Sequence, residues 1–213
     1  GNYTIEAFSN TSASSYRWYR DTFCDIEKFS AELVKTDPYE LINAQIADVP
    51  PGANGITFLP YLQGASGSKI NDKARGVFIG MSLGTKKADM ARAVMEGISF
   101  EVYDIINAEL EAGIKINSIR LTGGAAKSPM WCQMLADIFK LPIQLLSAGE
   151  TGCLGAALYA GIGVDAYENC RDAAEKAVKL TEVFEPNPEK FAAYDKAYQR
   201  FINVYNALDN RIF

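Results

Sequence analysis

Polar and apolar positions along this chain change period several times, and the changes mark out its elements. Residues 3–8 alternate enough to predict a strand. The polar run at 9–12 supplies cap candidates. Tyr16, Tyr19 and Phe23 then recur at intervals of three and four with Trp18 beside them, which predicts a helix over 13–23. Two more helices are predicted over 26–35 and 38–49. Asp37 stands as cap of the second and Pro38 at its first turn, where a missing N–H costs nothing. Residues 49–55, Val-Pro-Pro-Gly-Ala-Asn-Gly, read as a rigid turn, and 56–62 as a short apolar strand. Residues 63–76 form a polar, glycine-containing loop without periodicity, the kind of segment that often carries function. A strand-like run follows at 77–83.

The second half alternates more regularly. Residues 86–112 predict a long helix with Met90, Val94, Ile98, Val102 and Ile105 as one apolar stripe, stopped at Gly113. A strand over 116–122 leads into Gly123-Gly124. A helix follows through 139, with Ser128 as its N-cap and Pro129 at the first position. Then come a strand at 141–146, a helix rich in small residues at 149–162, and helices at 170–180 and 187–208. Strand, turn, helix, strand, helix is the order of an α/β domain with crossover connections. No repeat, low-complexity tract or linker interrupts it, so residues 1–213 read as one domain.

Composition narrows the chemistry. A length of 213 residues suits one domain with a sizeable core, and 48% hydrophobic with 22% charged residues is ordinary for a globular protein. A net charge of −5 argues against nucleic acid as a partner, because phosphate binding needs a basic face. No apolar run reaches the length of a membrane span and no signal-peptide pattern opens the chain. Cys24, Cys132, Cys153 and Cys170 form no C-x-x-C pair and read as reduced, buried thiols of a cytoplasmic protein. Histidine is absent, which removes Ser-His-Asp triads, Cys-His pairs and histidine metal ligands. The chain opens Gly-Asn rather than with methionine, so it is expected to be processed, tagged or cut from something longer.

The stretch Arg-Leu-Thr-Gly-Gly-Ala-Ala-Lys-Ser-Pro-Met-Trp, 120–131, carries the best candidate for binding. A phosphate loop needs G-x-x-x-x-G-K-[ST], and only two residues separate Gly124 from Lys127. The dinucleotide fingerprint fails as well. What remains is a strand end, a turn able to approach a planar ligand closely, and a helix N-terminus with unpaired N–H groups. Such a turn can seat an adenine ring or ribose at the carboxyl end of a strand. It can equally be a plain strand-to-helix connection. Gly152, Gly155, Ala156 and Ala157 make one face of the later helix slim, which fits close packing on a sheet or close approach of a ligand.

Three motifs in order carry a family resemblance. Residues 76–100 resemble the second signature of the FGGY carbohydrate kinases through Gly76, Phe78, Gly80, Asp89, Ala93, Val94, Glu96 and Gly97. Residues 119–143 are similar to the family's adenosine-binding strand–Gly–Gly–helix segment, and 150–160 to its later small-residue helix. The resemblance is strongest to the xylulose-kinase branch. It implies an α/β fold of the ribonuclease H-like, actin/hexokinase type: a C-terminal nucleotide-binding lobe with a mixed sheet flanked by helices. It further implies transfer of the γ-phosphate of ATP, with Mg2+, to a sugar hydroxyl. The sugar-binding N-terminal lobe, the catalytic-base aspartate and the glycine–threonine phosphate loop are expected upstream of this chain, which alone is expected to be inactive.

On the resemblance, Gly123, Gly124 and Ala125 line the adenosine site and Ser128 matches the polar position near the adenine. Ala125 stands where the family has a third glycine, so its methyl group narrows the pocket. Lys127 and Trp131 also match, and read as a solvated side chain and a core residue. Glu150 and Thr151 border the site, and Glu96 is structural. The catalytic set is empty and no metal ligands are assigned. Residues 64–68 and Gly84 depart from the family pattern at positions that face its cleft, which leaves the sugar open among xylulose, gluconate, ribulose and other polyols. Exposed apolar surface would favour a homodimer. A regulatory or dimerising module built on a degenerate kinase lobe fits the same departures.

Overall fold

The computed structural model describes residues 4–209 and 211–213. Two compact units emerge, residues 1–115 with 188–213, and residues 116–187. Each is built from elements that the residue pattern largely anticipates.

The first unit carries α1 (Ser12–Phe23), α2 (Asp25–Val34), α3 (Pro38–Ile46), β1 (Thr57–Leu59), β2 (Val77–Ile79), α4 (Lys87–Glu111) and α8 (Phe191–Leu208). Residues 4–8, expected as a strand, carry none, and Tyr3 lies outside the described residues. The polar side chains that follow them serve as struts. Ser9 Oγ accepts from the Ser12 N–H, and Thr11 uses its hydroxyl on the Pro60 carbonyl rather than as a cap. Asp37 does cap α3, accepting from the Tyr39 N–H at 2.9 Å, with Pro38 at the first turn. β1 and β2 pair antiparallel, Phe58 opposite Phe78 with rings 4.5 Å apart.

α4 is the axis of this unit, and here the expected single apolar stripe is wrong. Asp89 and every residue from Ala91 to Glu101 are buried, because α1, α3, β1 and α8 pack around the helix. A helix surrounded on all sides shows no amphipathic period. The buried Arg92 at its centre is satisfied internally. Arg92 donates from Nε to Glu96 at 2.9 Å and from Nη2 to the Tyr194 hydroxyl at 2.6 Å. Arg200 on α8 ties the turn before β1, donating to Thr57 Oγ1 and to the Gly52 and Ile56 carbonyls. Gly113, at φ +86°, lies just beyond the helix as expected.

The second unit carries β3 (Ile119–Leu121), α5 (Pro129–Phe139), β4 (Ile143–Leu146), α6 (Thr151–Gly163), α7 (Cys170–Ala177) and β5 (Leu180–Phe184). β3 and β4 run parallel, Ile119 opposite Ile143, with α5 as the crossover. β5 pairs antiparallel to β4 and makes the sheet mixed, in the order β3-β4-β5. The residue pattern missed β5, whose first four residues are exposed and so show no buried alternation. Trp131, Leu135, Ile138 and Ile143 form the buried heart of this unit. Cys24 and Cys132 are buried, whereas Cys153 and Cys170 are exposed, contrary to the expectation that all four are buried.

Candidate functional site

The turn after β3 is built by three local devices. Gly123 sits at φ +84°, ψ −157°, a conformation open to glycine and closed to residues with a Cβ. Gly124 to Lys127 then form one 3-10 turn. Ser128 ends it and caps α5, its hydroxyl accepting from the Trp131 N–H at 3.3 Å, with Pro129 at the first helical position. The Ala125 carbonyl is held from below by the Ser128 N–H at 3.1 Å and the Cys132 thiol at 3.6 Å. Burial, with Glu182 adding to it, pushes the Cys132 thiol up to about 11, so it stays a protonated donor.

Above this foundation the turn is bare. A Cβ at Gly123 or Gly124 would meet nothing within 4 Å, so the two glycines present open backbone. Gly123 is required by its φ. Gly124 is not, and its small size only keeps the surface clear. Lys127 is exposed and Trp131 is buried in the core, as their surroundings in sequence suggested.

Glu150 and Thr151 open α6, directly after β4. Because β3 and β4 are parallel neighbours, the Gly123 turn and the 147–150 turn leave the sheet at the same end, where ligands of α/β sheets gather. Only tertiary structure brings these two turns together. A Cβ at Gly152 or Gly155 would meet nothing within 4 Å, and α6 has no buried residue. The slim face therefore does not serve close packing among the described residues.

The motif at 76–100 has a different purpose. A Cβ on Gly97 would press on the Phe58 carbonyl, and one on Gly80, already at φ +91°, on the Gly55 carbonyl. Asp89 accepts from the Lys86 N–H and from Asn54 Nδ2, both at 2.8 Å, closing the first turn of α4. Glu96, 2% exposed, accepts from the Gly52 N–H and Arg92 Nε. Burial pushes its carboxyl up while Arg92 pulls it down. These residues knit α4 to the 52–58 segment; Glu96 is structural. Beside them lies a cleft of about 410 Å³ lined by Asn54, Ser82, Gly84, Thr85, Lys86 and Asp89. Sequence reasoning marked Gly84 there but no cavity.

Residues 1–164 match the FGGY family of carbohydrate kinases, C-terminal domain. This chain belongs to that family. A xylulose kinase of Staphylococcus epidermidis is 38% identical over 204 residues, 95% of this chain and 39% of the relative. A gluconokinase of Bacillus subtilis is 33% identical over 199 residues, covering 92% and 38%. An autoinducer-2 kinase of Salmonella paratyphi A is 31% identical over 209 residues, covering 96% and 39%. Among solved structures, a ligand-bound xylulose kinase from Lactobacillus acidophilus superposes with a TM-score of 0.83 at 28% identity, covering 96% of this chain and 40% of that one. The chain thus spans about 39% of the length of the curated relatives it matches. The ribonuclease H-like, actin/hexokinase-type fold expected from the FGGY resemblance holds.

Proposed function

We propose that this FGGY domain is the nucleotide-binding lobe of an ATP-dependent sugar kinase, with Gly123 and Gly124 seating the adenosine of ATP. The observation that carries the reading is the bare Gly123-Gly124 backbone at the carboxyl end of β3. A planar base can lie on main chain from which no Cβ projects. Ala125 and Ser128 complete the same wall, and Glu150 and Thr151 open a helix at the same end of the sheet. The bound nucleotide supplies the phosphoryl group that passes to a sugar hydroxyl; these residues position it, and positioning is most of what phosphoryl transfer asks of a protein. No group of three or more His, Cys, Asp or Glu side chains suited to a metal occurs among the described residues. Mg2+ would accompany the phosphates of the nucleotide, and no residue of this chain is assigned to it. The acceptor is a ketose or polyol, with xylulose favoured by the 38% identical xylulose kinase.

Calorimetric titration with ATP and ADP, with and without magnesium, tests the adenosine assignment. Binding by the wild-type chain that persists without magnesium, and is lost in Gly124→Trp, is the expected result. Gly124 is the right position because the added ring enters open space and does not disturb packing. Equal binding by wild type and Gly124→Trp removes the adenosine from this turn.

A further inference from the structure

Two segments outside the helices and strands, residues 8–11 and 63–72, close over the middle of α4. Asn10 donates its N–H to Ser66 Oγ at 3.0 Å, and Ser66 Oγ donates to the Phe8 carbonyl at 3.3 Å. A Cβ on Gly67 would meet the Ile105 side chain at 2.6 Å and the Phe8 carbonyl at 3.3 Å, so residues 63–72 run as a tight strap between helix and 8–11. Two carboxylates of α4 hold the pair down. Glu101 Oε2 accepts from the Ser9 hydroxyl at 2.6 Å. Asp104, one turn on, accepts from Ser68, Lys69 and the Tyr198 hydroxyl. Asn71 donates to Asp209 at 2.7 Å. These fastenings are polar. Phe8 and Ile70, the large apolar side chains of the two segments, are 70% and 92% exposed, so little apolar burial opposes release.

Glu101 is the weak point of the arrangement. It is buried, and its Oε1 has no hydrogen-bond partner. Protonated, the carboxyl suits this place; ionised, it is a buried charge beside a second carboxylate. Asp104 faces it from its own helix and Lys69 from the strap, and Lys69 is already paired with Asp104. Tyr61 faces Glu101, and Tyr198 and Tyr205 of α8 face Asp104; burial pushes all three hydroxyls up, so they stay neutral. Glu6, on the N-terminal segment, is exposed. We propose that residues 8–11 and 63–72 form a pH-sensitive clasp, closed over neutral Glu101 and loosened when Glu101 ionises and draws in water. Closure holds the Glu101 carboxyl at about 7, whereas an open clasp returns it to its ordinary 4.5. Below about 4.5 both states keep the proton. Between 4.5 and 7 only the open state loses it, and opening becomes more favourable; above 7 both are ionised and the effect is complete. Asp104, held below its ordinary range by Lys69, Ser68 and Tyr198 against the effect of burial, titrates beneath this window. The clasp lies wholly in the first unit and does not depend on where the nucleotide binds.

Amide hydrogen exchange read by NMR, corrected for the intrinsic effect of pH, tests the clasp. The N–H groups of Asn10, Ala65 and Asn71 are each hydrogen-bonded within it. They are expected to exchange ahead of the buried core of α4 at every pH, and on the order of a hundredfold faster above pH 7 than below pH 4.5. Glu101→Gln, which cannot ionise, is expected to remove the step. Ser9→Ala, at a half-buried position on the rim, takes away the bond that favours the ionised form, and is expected to carry the step to higher pH. Equal exchange on both sides of the window in the wild type overturns the proposal. So does a step that Glu101→Gln keeps or that Ser9→Ala leaves in place. Exchange of these amides only together with the α4 core would be global unfolding, and overturns it as well.

Discussion

Glu101 is a residue whose ionisation couples to stability. It is 3% exposed; Oε2 accepts from the Ser9 hydroxyl at 2.6 Å, and Oε1 has no hydrogen-bond partner. Burial, with the Asp104 carboxylate adding to it, pushes the carboxyl from 4.5 up to about 7. The folded state thus favours the protonated form more than the unfolded chain does. Below about pH 4.5 both states hold the proton and Glu101 imposes no penalty; the penalty grows as pH rises and is complete above about 7. Its full size is roughly 3 kcal/mol. Urea unfolding followed across this window should show the wild type losing stability toward pH 7 relative to Glu101→Gln. Parallel pH profiles for the two proteins count against the assignment. Asp104, held below its ordinary range by Lys69, Ser68 and Tyr198 against the opposing effect of burial, acts only at lower pH and does not obscure the comparison. Gly97 offers a second test. Its Cβ would press on the rigid Phe58 carbonyl, so Gly97→Ala should cost about 1–3 kcal/mol in denaturant unfolding. A neutral effect would show that β1 can move away from α4.

Among the elements, the β3–α5 connection was the most legible in sequence. Ser128 and Pro129 mark the start of α5 by chemistry that acts within a few residues, and the structure places the cap as expected. Ser128→Ala should lower the melting temperature through a loss of about 1 kcal/mol. Ala125→Gly is expected to tighten ATP binding several-fold, since it restores the third glycine of the family pattern, and calorimetry reads the change. Unchanged affinity would mean that the methyl group does not face the base. α4 was misread for a physical reason: its stripe from Met90 to Ile105 exists in the sequence, but neighbours on every side bury its charged residues too. Arg92 and Glu96 look like solvated positions until Gly52 and Tyr194 supply their partners. Over residues 4–8 the expected strand is absent, because alternation alone does not provide a neighbouring strand to pair with.

For the molecule as a whole, the proposal makes ATP binding and sugar phosphorylation separable. The chain spans about 39% of the length of its xylulose kinase relative. No catalytic base is assigned among its described residues. A coupled assay with xylulose, ribulose or gluconate is therefore expected to show no turnover by these 213 residues, even where calorimetry detects nucleotide. Robust phosphorylation by this chain alone would place a catalytic base within it.

What the order of residues determined by itself was local. Helix starts at Asp37 and Ser128, the stop at Gly113 and the Gly123-Gly124 turn follow from backbone sterics and capping within a few positions. So does family membership, since its motifs are short and ordered. Tertiary structure decided what each glycine is for. Gly80 and Gly97 face carbonyls from distant segments and are packing residues, whereas Gly123 and Gly124 face open space and are available to a ligand. The residues look alike in sequence because the difference lies in neighbours that the chain brings in only when it folds.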